Sequence, residues 1–332
     1  MRGLWAGLRG GAIAVWALIG CAAWPGPGSA QPFPSRPITF VVPFAAGGPT
    51  DTLARILSER IAAELHTTIV VENVAGASGS IAGTRVARAA PDGTTITIGH
   101  WGTHVLNGAI LKLPYDVVGD FEPVAMIAMG TQLIVGRKSL EANNLKELIA
   151  WLKVNPGKAT AGTAGPGTGA HVAGVFFKGK TGTDFQFVPY RGAGPAMIDL
   201  VAGQIDIMFD QASNSLAHVK SGAIKAFAVT SPTRLASAPD IPTVDEAGLP
   251  GLYISYWHGI WAPKATPKEI VTTLNAAIVT VLAAPSVKQR FAELGQEIPP
   301  LAQQTPAALA AFQKAETEKW WPVVKAADIK VE

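Results

Sequence analysis

Apolar residues recur along this chain in two rhythms. Ile38, Phe40, Val41 and Val42 form a short, nearly continuous run, the pattern of a strand buried on both faces of a parallel sheet. Leu53, Ile56, Leu57, Ile61 and Leu65 then return at helical spacing, which predicts a helix with one face on that sheet. Strands near 68–72 and 94–99 and a helix near 80–90, closed by Pro91-Asp92-Gly93, extend this to a βαβαβ pattern and hence a parallel sheet. The alternation restarts at Asn144, a good N-cap for a helix carrying Leu145, Leu148, Ile149 and Leu152. Strands are expected near 158–163, 185–190, 204–209 and 224–229, with helices starting after Thr168 and near 193–202 and 213–221. Two long apolar stretches, 124–135 and 253–261, are long enough to cross between two domains. A capping-box pattern at Thr266-Pro267-Lys268-Glu269 opens a further helix, and two more helices near 286–294 and 306–323 are expected to pack back on the first domain. The pattern predicts an α/β fold of two lobes, each a mostly parallel sheet flanked by helices and joined by two crossing segments. The expected divisions are 31–133 plus 258–332 for one lobe and 134–257 for the other, an arrangement that closes over a ligand.

Before the first strand the chain carries Arg2, Arg9, an apolar run over 11–24 and then Gly28-Ser29-Ala30. The run is about 14 residues, short of the ~20 a membrane-spanning helix needs, so residues 1–30 are read as an export signal cleaved after Ala30. Leu18-Ile19-Gly20-Cys21 also resembles a lipobox, and cleavage before Cys21 would leave a lipid-anchored protein. Both routes export the chain. Removing residues 1–30 takes away two arginines and no acid, leaving 25 Lys+Arg against 24 Asp+Glu. A near-neutral chain without a basic run disfavours nucleic acid as a partner. With Cys21 the single cysteine, the mature chain has no disulfide or thiol chemistry to draw on.

Candidate chemistry lies in the turns. Val42 leads through Pro43, Phe44, Ala45, Ala46, Gly47 and Gly48 into Pro49, Thr50 and Asp51, a glycine-rich passage from strand to helix. Glycine lets the backbone turn sharply and lets a ligand approach its amides, and the helix end carries partial positive charge, so a carboxylate or phosphate can be held without arginine. The loop lacks both the lysine of a P-loop and a GxGxxG pattern, which disfavours nucleotides. A second turn, Ala164-Gly165-Pro166-Gly167-Thr168, repeats the design before His171. Short hydroxyls of Thr50, Ser78, Thr103, Thr163 and Thr168 sit in loops at strand ends, where open α/β sheets bind ligands. Asp51 either complements its helix dipole or orients loop amides, and Asp210 is read as an acceptor for Gln211, Ser213 or Asn214. His100 and His104 are four apart, but no HExxH pattern or suitably spaced carboxylate accompanies them, so no metal is expected. No GxSxG elbow and no nucleophile, base and orienter set is visible, and neither catalysis nor a cofactor is expected.

Phe33-Pro34-Ser35-Arg36-Pro37-Ile38, the loop Pro43 to Asp51, Gly102-Thr103-His104, Leu113-Pro114-Tyr115-Asp116, Asp120-Phe121-Glu122-Pro123-Val124, Val188-Pro189-Tyr190-Arg191-Gly192, Asp240-Ile241-Pro242-Thr243 and Glu246-Ala247-Gly248 together resemble the Bug proteins. These are the extracytoplasmic substrate-binding receptors of tripartite tricarboxylate transporters, and the resemblance runs over essentially the whole mature chain. It implies a periplasmic binding protein of the two-lobed type II kind that presents a small carboxylate to a two-component membrane permease, and a monomer is expected. It implies ligand contacts from backbone amides and waters of Phe44 to Asp51, from Ala164 to Thr168 in the opposite lobe, and from Asp210. The family often has asparagine after that aspartate, where this chain has Gln211. Two rival readings are a ligand sensor for a membrane histidine kinase and a periplasmic enzyme acting on a carboxylic acid.

Overall fold

The computed structural model describes residues 33–329; the export signal, its cleavage after Ala30 and the alternative at Cys21 lie outside the described residues. The chain order is β1 (Ile38–Val42), α1 (Pro49–Glu64), β2 (Ile69–Asn73), α2 (Ser80–Ala87) and β3 (Thr95–His100). A turn of π-helix, Gly102–Leu106, runs into α3 (Asn107–Ile110) and is followed by the long β4 (Phe121–Arg137). Then come α4 (Leu145–Val154), β5 (Thr160–Thr163), α5 (Gly169–Thr181), β6 (Gln186–Pro189), α6 (Ala193–Val201), β7 (Ile207–Gln211), α7 (Ala212–Lys220) and β8 (Ile224–Val229). The chain returns through β9 (Ser255–Pro263) to α8 (Lys268–Ala283), α9 (Pro285–Glu293), β10 (Gln296–Glu297) and α10 (Pro306–Ala326).

The strands form one continuous sheet in the order β2-β1-β3-β9-β4-β7-β5-β6, with β8 and β10 also paired to β4. β1 lies parallel to β2 and β3, and β5 lies parallel to β6 and β7, as the two alternating stretches require. The two long apolar runs become β4 and β9. They pair antiparallel from Phe121↔Pro263 to Thr131↔Ser255, after which β4 continues between β7 and β8. Thr230 ties this junction: its N–H donates to Gln132 O at 2.9 Å and its hydroxyl to Ile254 O at 2.8 Å. The fold is the two-lobed α/β arrangement of periplasmic binding proteins, with β4 and β9 as its crossing segments.

One core packs Phe40, Leu53, Leu57 and Ile61 against Ile98, Leu274 and Ile278. A second holds Leu133, Leu200, Leu216 and Val229. The third, with Trp101, Trp257, Trp261, Phe177 and Phe209, draws on residues from both halves of the sheet. α10 closes over it, because Gln313 donates to His104 O (2.9 Å) and Val117 O (2.8 Å) and accepts from Trp261 Nε1 (3.2 Å).

Two local expectations are corrected. Thr103, expected in a loop, lies in a helical stretch over 101–110: Gly102 N–H donates to His100 Nδ1 at 2.8 Å and Thr103 Oγ1 accepts from His100 N–H at 3.0 Å, so the side chains start the turn that apolar spacing alone does not announce. The capping box at 266–269 does not form. Pro267 is the N-cap of α8, and Thr266 spends its hydroxyl on Pro263 O at 2.7 Å. Asn144 does cap α4, accepting from Glu147 N–H at 2.9 Å. Among the described residues no single helix is long and apolar enough to cross a membrane.

Candidate functional site

The glycine-rich passage after β1 is braced from within. Asp51, buried in the first turn of α1, accepts from Gly47 N–H (3.0 Å), Arg55 Nε (2.9 Å) and Asn73 Nδ2 (2.9 Å), and Asn73 also donates to Phe44 O. Burial pushes the carboxyl up, but the bonds from Arg55, Gly47 and Asn73 outweigh it and hold Asp51 below the ordinary carboxylate value. Asp51 therefore shapes the loop. Thr50 Oγ1 lies 3.3 Å from His258 Nε2, and the Phe44 ring stacks on His100 with centroids 5.2 Å apart.

The loop then meets the other half of the molecule. Ala45 N–H donates to Arg191 O at 3.0 Å, and Gly48 faces Gly194, where an added Cβ would come 3.3 Å from Gly194 N. Gly194 is tighter still: a Cβ there would sit 2.9 Å from both Gly47 C and Gly48 N. Ala46 and Gly47 remain exposed at the tip. On the other side of the junction Ser78 Oγ donates to Pro166 O at 2.6 Å, and Asn107 Nδ2 donates to Ser78 O at 3.0 Å. The second glycine turn is self-bonded as well, Thr168 Oγ1 to Gly165 O (2.7 Å) and Gly167 N–H to His171 Nδ1 (2.9 Å). Gly165 adopts φ +118 and Gly167 φ +77, which other residues rarely reach.

Behind these contacts lies a partly open cavity of about 40 Å³. Of the residues singled out in the sequence it is lined by Ala164, Thr168 and Asp210; Phe44 to Asp51, Ser78, Thr103, Gly165 and Gly167 build its surroundings and do not line it. Thr103 bonds His100 and His104 at the start of its helical turn. The rest of the lining includes His100, Trp101, Gln132, Gln211 and Tyr256. Gln132 is a residue sequence reasoning missed, although a glutamine inside the apolar run 124–135 was the signal available.

Three helices begin at this cavity. α5 contributes Gly169 and Ala170 behind its N-cap Thr168, α6 contributes Ala193, and Gln211 is the N-cap of α7. Helix N-termini present unpaired N–H groups and partial positive charge, and no lysine or arginine is among the lining residues. Among the buried polar atoms without partners here, Trp101 Nε1 is a free donor that adds to this, while Gln132 Oε1 and Gln211 Oε1 are acceptors. Each such atom costs about 1–3 kcal/mol until a water or ligand satisfies it.

The titratable groups are all shifted by burial. Desolvation lowers His100 to about 4 and His104 to about 3, and lowers His258 well below the ordinary imidazole value, so all three are neutral near pH 7. Desolvation raises Asp210 to about 6 although Ser215, Asn214 and the Gln211 backbone all hydrogen-bond it.

Residues 53–329 match the profile described as the tripartite tricarboxylate transporter family receptor. The chain belongs to that family. Its structure superposes on that of the periplasmic binding protein BugD with a TM-score of 0.86 and 39% identity, covering 90% of this chain and 99% of BugD. MatC of Rhodopseudomonas palustris, whose structure holds malate, matches at TM-score 0.85 and 39% identity over 88% of this chain and 100% of MatC. Another R. palustris protein, Rpa4515 with adipate, matches at TM-score 0.85 and 34% identity, covering 90% of this chain and 99% of its own. The receptor family thus includes proteins with dicarboxylates bound, and the resemblance in the motifs from Phe33 to Gly248 is borne out.

Proposed function

We propose that this chain is a periplasmic receptor that captures a small carboxylate between lobes 31–133 plus 258–332 and 134–257 and delivers it to the membrane permease of a tripartite tricarboxylate transporter. The observation that carries the reading is the convergence of the N-termini of α5, α6 and α7 on a cation-free cavity with one buried, unpartnered donor, Trp101 Nε1. Such a cavity suits an anion held by backbone amides and uncharged side chains. In this reading the loop of Phe44, Ala45, Ala46, Gly47, Gly48, Thr50 and Asp51 closes over the cavity from outside its lining, with Ser78, Thr103, Gly165 and Gly167 fixing the loops and Ala164, Thr168 and Asp210 at the ligand. Parting of the contacts Ala45 to Arg191 and Ser78 to Pro166 opens the site, and their return closes it over the ligand.

The test is thermal unfolding of residues 31–332 with malate, adipate, citrate, aspartate, glutamate and benzoate, followed by calorimetry and a check that the ligand is not consumed. An acid present at 1,000 times its Kd stabilises the native state by about 4 kcal/mol. A selective shift without turnover is expected; turnover, or no shift after denaturing and refolding to strip a co-purified ligand, overturns the reading.

A further inference from the structure

Asp210 is the one carboxylate among the residues that line the cavity. Its side chain is 3% exposed and lines the cavity at the end of β7. Asn214 Nδ2 donates to its Oδ2 at 2.8 Å and Ser215 donates to the same oxygen, both from α7. Every other element around the cavity offers neutral groups. β4 supplies Gln132, the turn after β5 supplies Ala164 and Thr168, α5 supplies Gly169 and Ala170, and α6 supplies Ala193. The remaining titratable groups facing it are His100 from β3, neutral near pH 7, and Tyr256 from β9, whose hydroxyl burial pushes up and keeps protonated. The three helix ends carry about half a positive charge each, roughly 1.5 between them, and do not neutralise two carboxylates at hydrogen-bond distance.

We propose that a dicarboxylate is captured together with one proton, shared between its inner carboxylate and Asp210, so that this residue sets the pH dependence of binding and the choice among acids. The proton comes from solvent, no covalent bond forms, and a carboxyl–carboxylate hydrogen bond replaces the repulsion of two anions. The inference rests on the reading of the chain as a carboxylate receptor. Burial already raises Asp210 to about 6, so taking up the proton near neutral pH is a small step. Half the sites hold it at pH 6 and about one in a hundred at pH 8, which makes affinity for a dianion fall about 50-fold across that interval. An acid whose inner end is an amide has no need of the proton and keeps its affinity.

The experiment is calorimetry of malate, adipate and adipic acid monoamide between pH 6 and 8, in two buffers of different ionisation enthalpy. The expected result is proton uptake that rises from about half a proton per bound dicarboxylate at pH 6 to about one at pH 8, the steep pH dependence above, and a flat profile for the monoamide. Asp210→Asn, which carries a permanent N–H donor, flattens the dicarboxylate profile. A ligand-free measurement accompanies it: an acid raised in the folded state loses stability as pH rises from about 4 to 6, so the Tm of Asp210→Asn gains on that of the wild type over this window. A dicarboxylate that binds with no proton uptake, or a Tm difference that stays constant with pH, overturns the proton and leaves the receptor reading standing. If no acid binds, the receptor reading falls and this inference falls with it.

Discussion

At the scale of single residues, the site depends on side chains that are missing. Gly194 packs its Cα against the backbone of Gly47 and Gly48, and even one methyl group there would overlap main-chain atoms that cannot rotate away. Gly194→Ala is therefore expected to weaken ligand binding by about tenfold or more, in line with ~1–3 kcal/mol for overpacking, because the two walls can no longer close. Its ligand-free Tm should hardly move, since the walls relieve the overlap by parting. Calorimetry and a melting curve decide this; a wild-type affinity would mean that closure does not use this contact. Asp51 makes the complementary point. Its charge is legible in the sequence, but its role as a brace for Gly47 rests on Arg55 and on Asn73, which comes from another strand 22 positions away.

At the scale of elements, helices and strands followed the apolar rhythm wherever the rhythm was long. α1, α4, α8 and α10 lie where periodicity put them, because each buries one face against a sheet. The turn at 102–110 escaped because its start is fixed by His100 and Thr103 side chains and its outer face by α10, none of which leaves a periodic mark. Gln313 is the residue through which α10 holds that region. Gln313→Leu would strand the buried carbonyls of His104 and Val117 and the Trp261 indole N–H, and is expected to cost about 2–4 kcal/mol in urea unfolding. An unchanged urea midpoint would mean that water replaces all three bonds.

At the scale of the whole molecule, buried imidazoles accumulate around β3 and β9, in the middle of the sheet. His100, His104 and His258 each resist protonation in the folded state, whereas an unfolded chain takes up protons near the ordinary imidazole value of 6.5. Their contribution is complete above about pH 6.5 and is lost as pH falls toward 4, at roughly 1.4 kcal/mol per unit for each histidine. Asp210 works in the opposite direction between its unfolded value of 3.8 and about 6, and offsets one of the three. The urea midpoint is expected to drop steeply between pH 6 and 4.5 and to be flat from 7 to 8; no drop would mean that the histidines are hydrated in solution.

The sequence by itself determined the α/β class, the two alternating stretches, the crossing runs that became β4 and β9, and the two glycine turns, because each is written in neighbouring residues. Family membership was legible for the same reason, in short motifs spread in order along the chain. The resemblance named Ala164, Thr168 and Asp210, and only the tertiary structure decided what surrounds them. Gln132, Trp101, Tyr256 and Asp210 come from four strands or their ends, and which of them meet depends on how β4, β9 and β7 lie side by side. Burial, which neutralises the histidines and raises Asp210, is likewise a property of the assembled sheets and of no local stretch, since desolvation requires every side of a group to be covered at once.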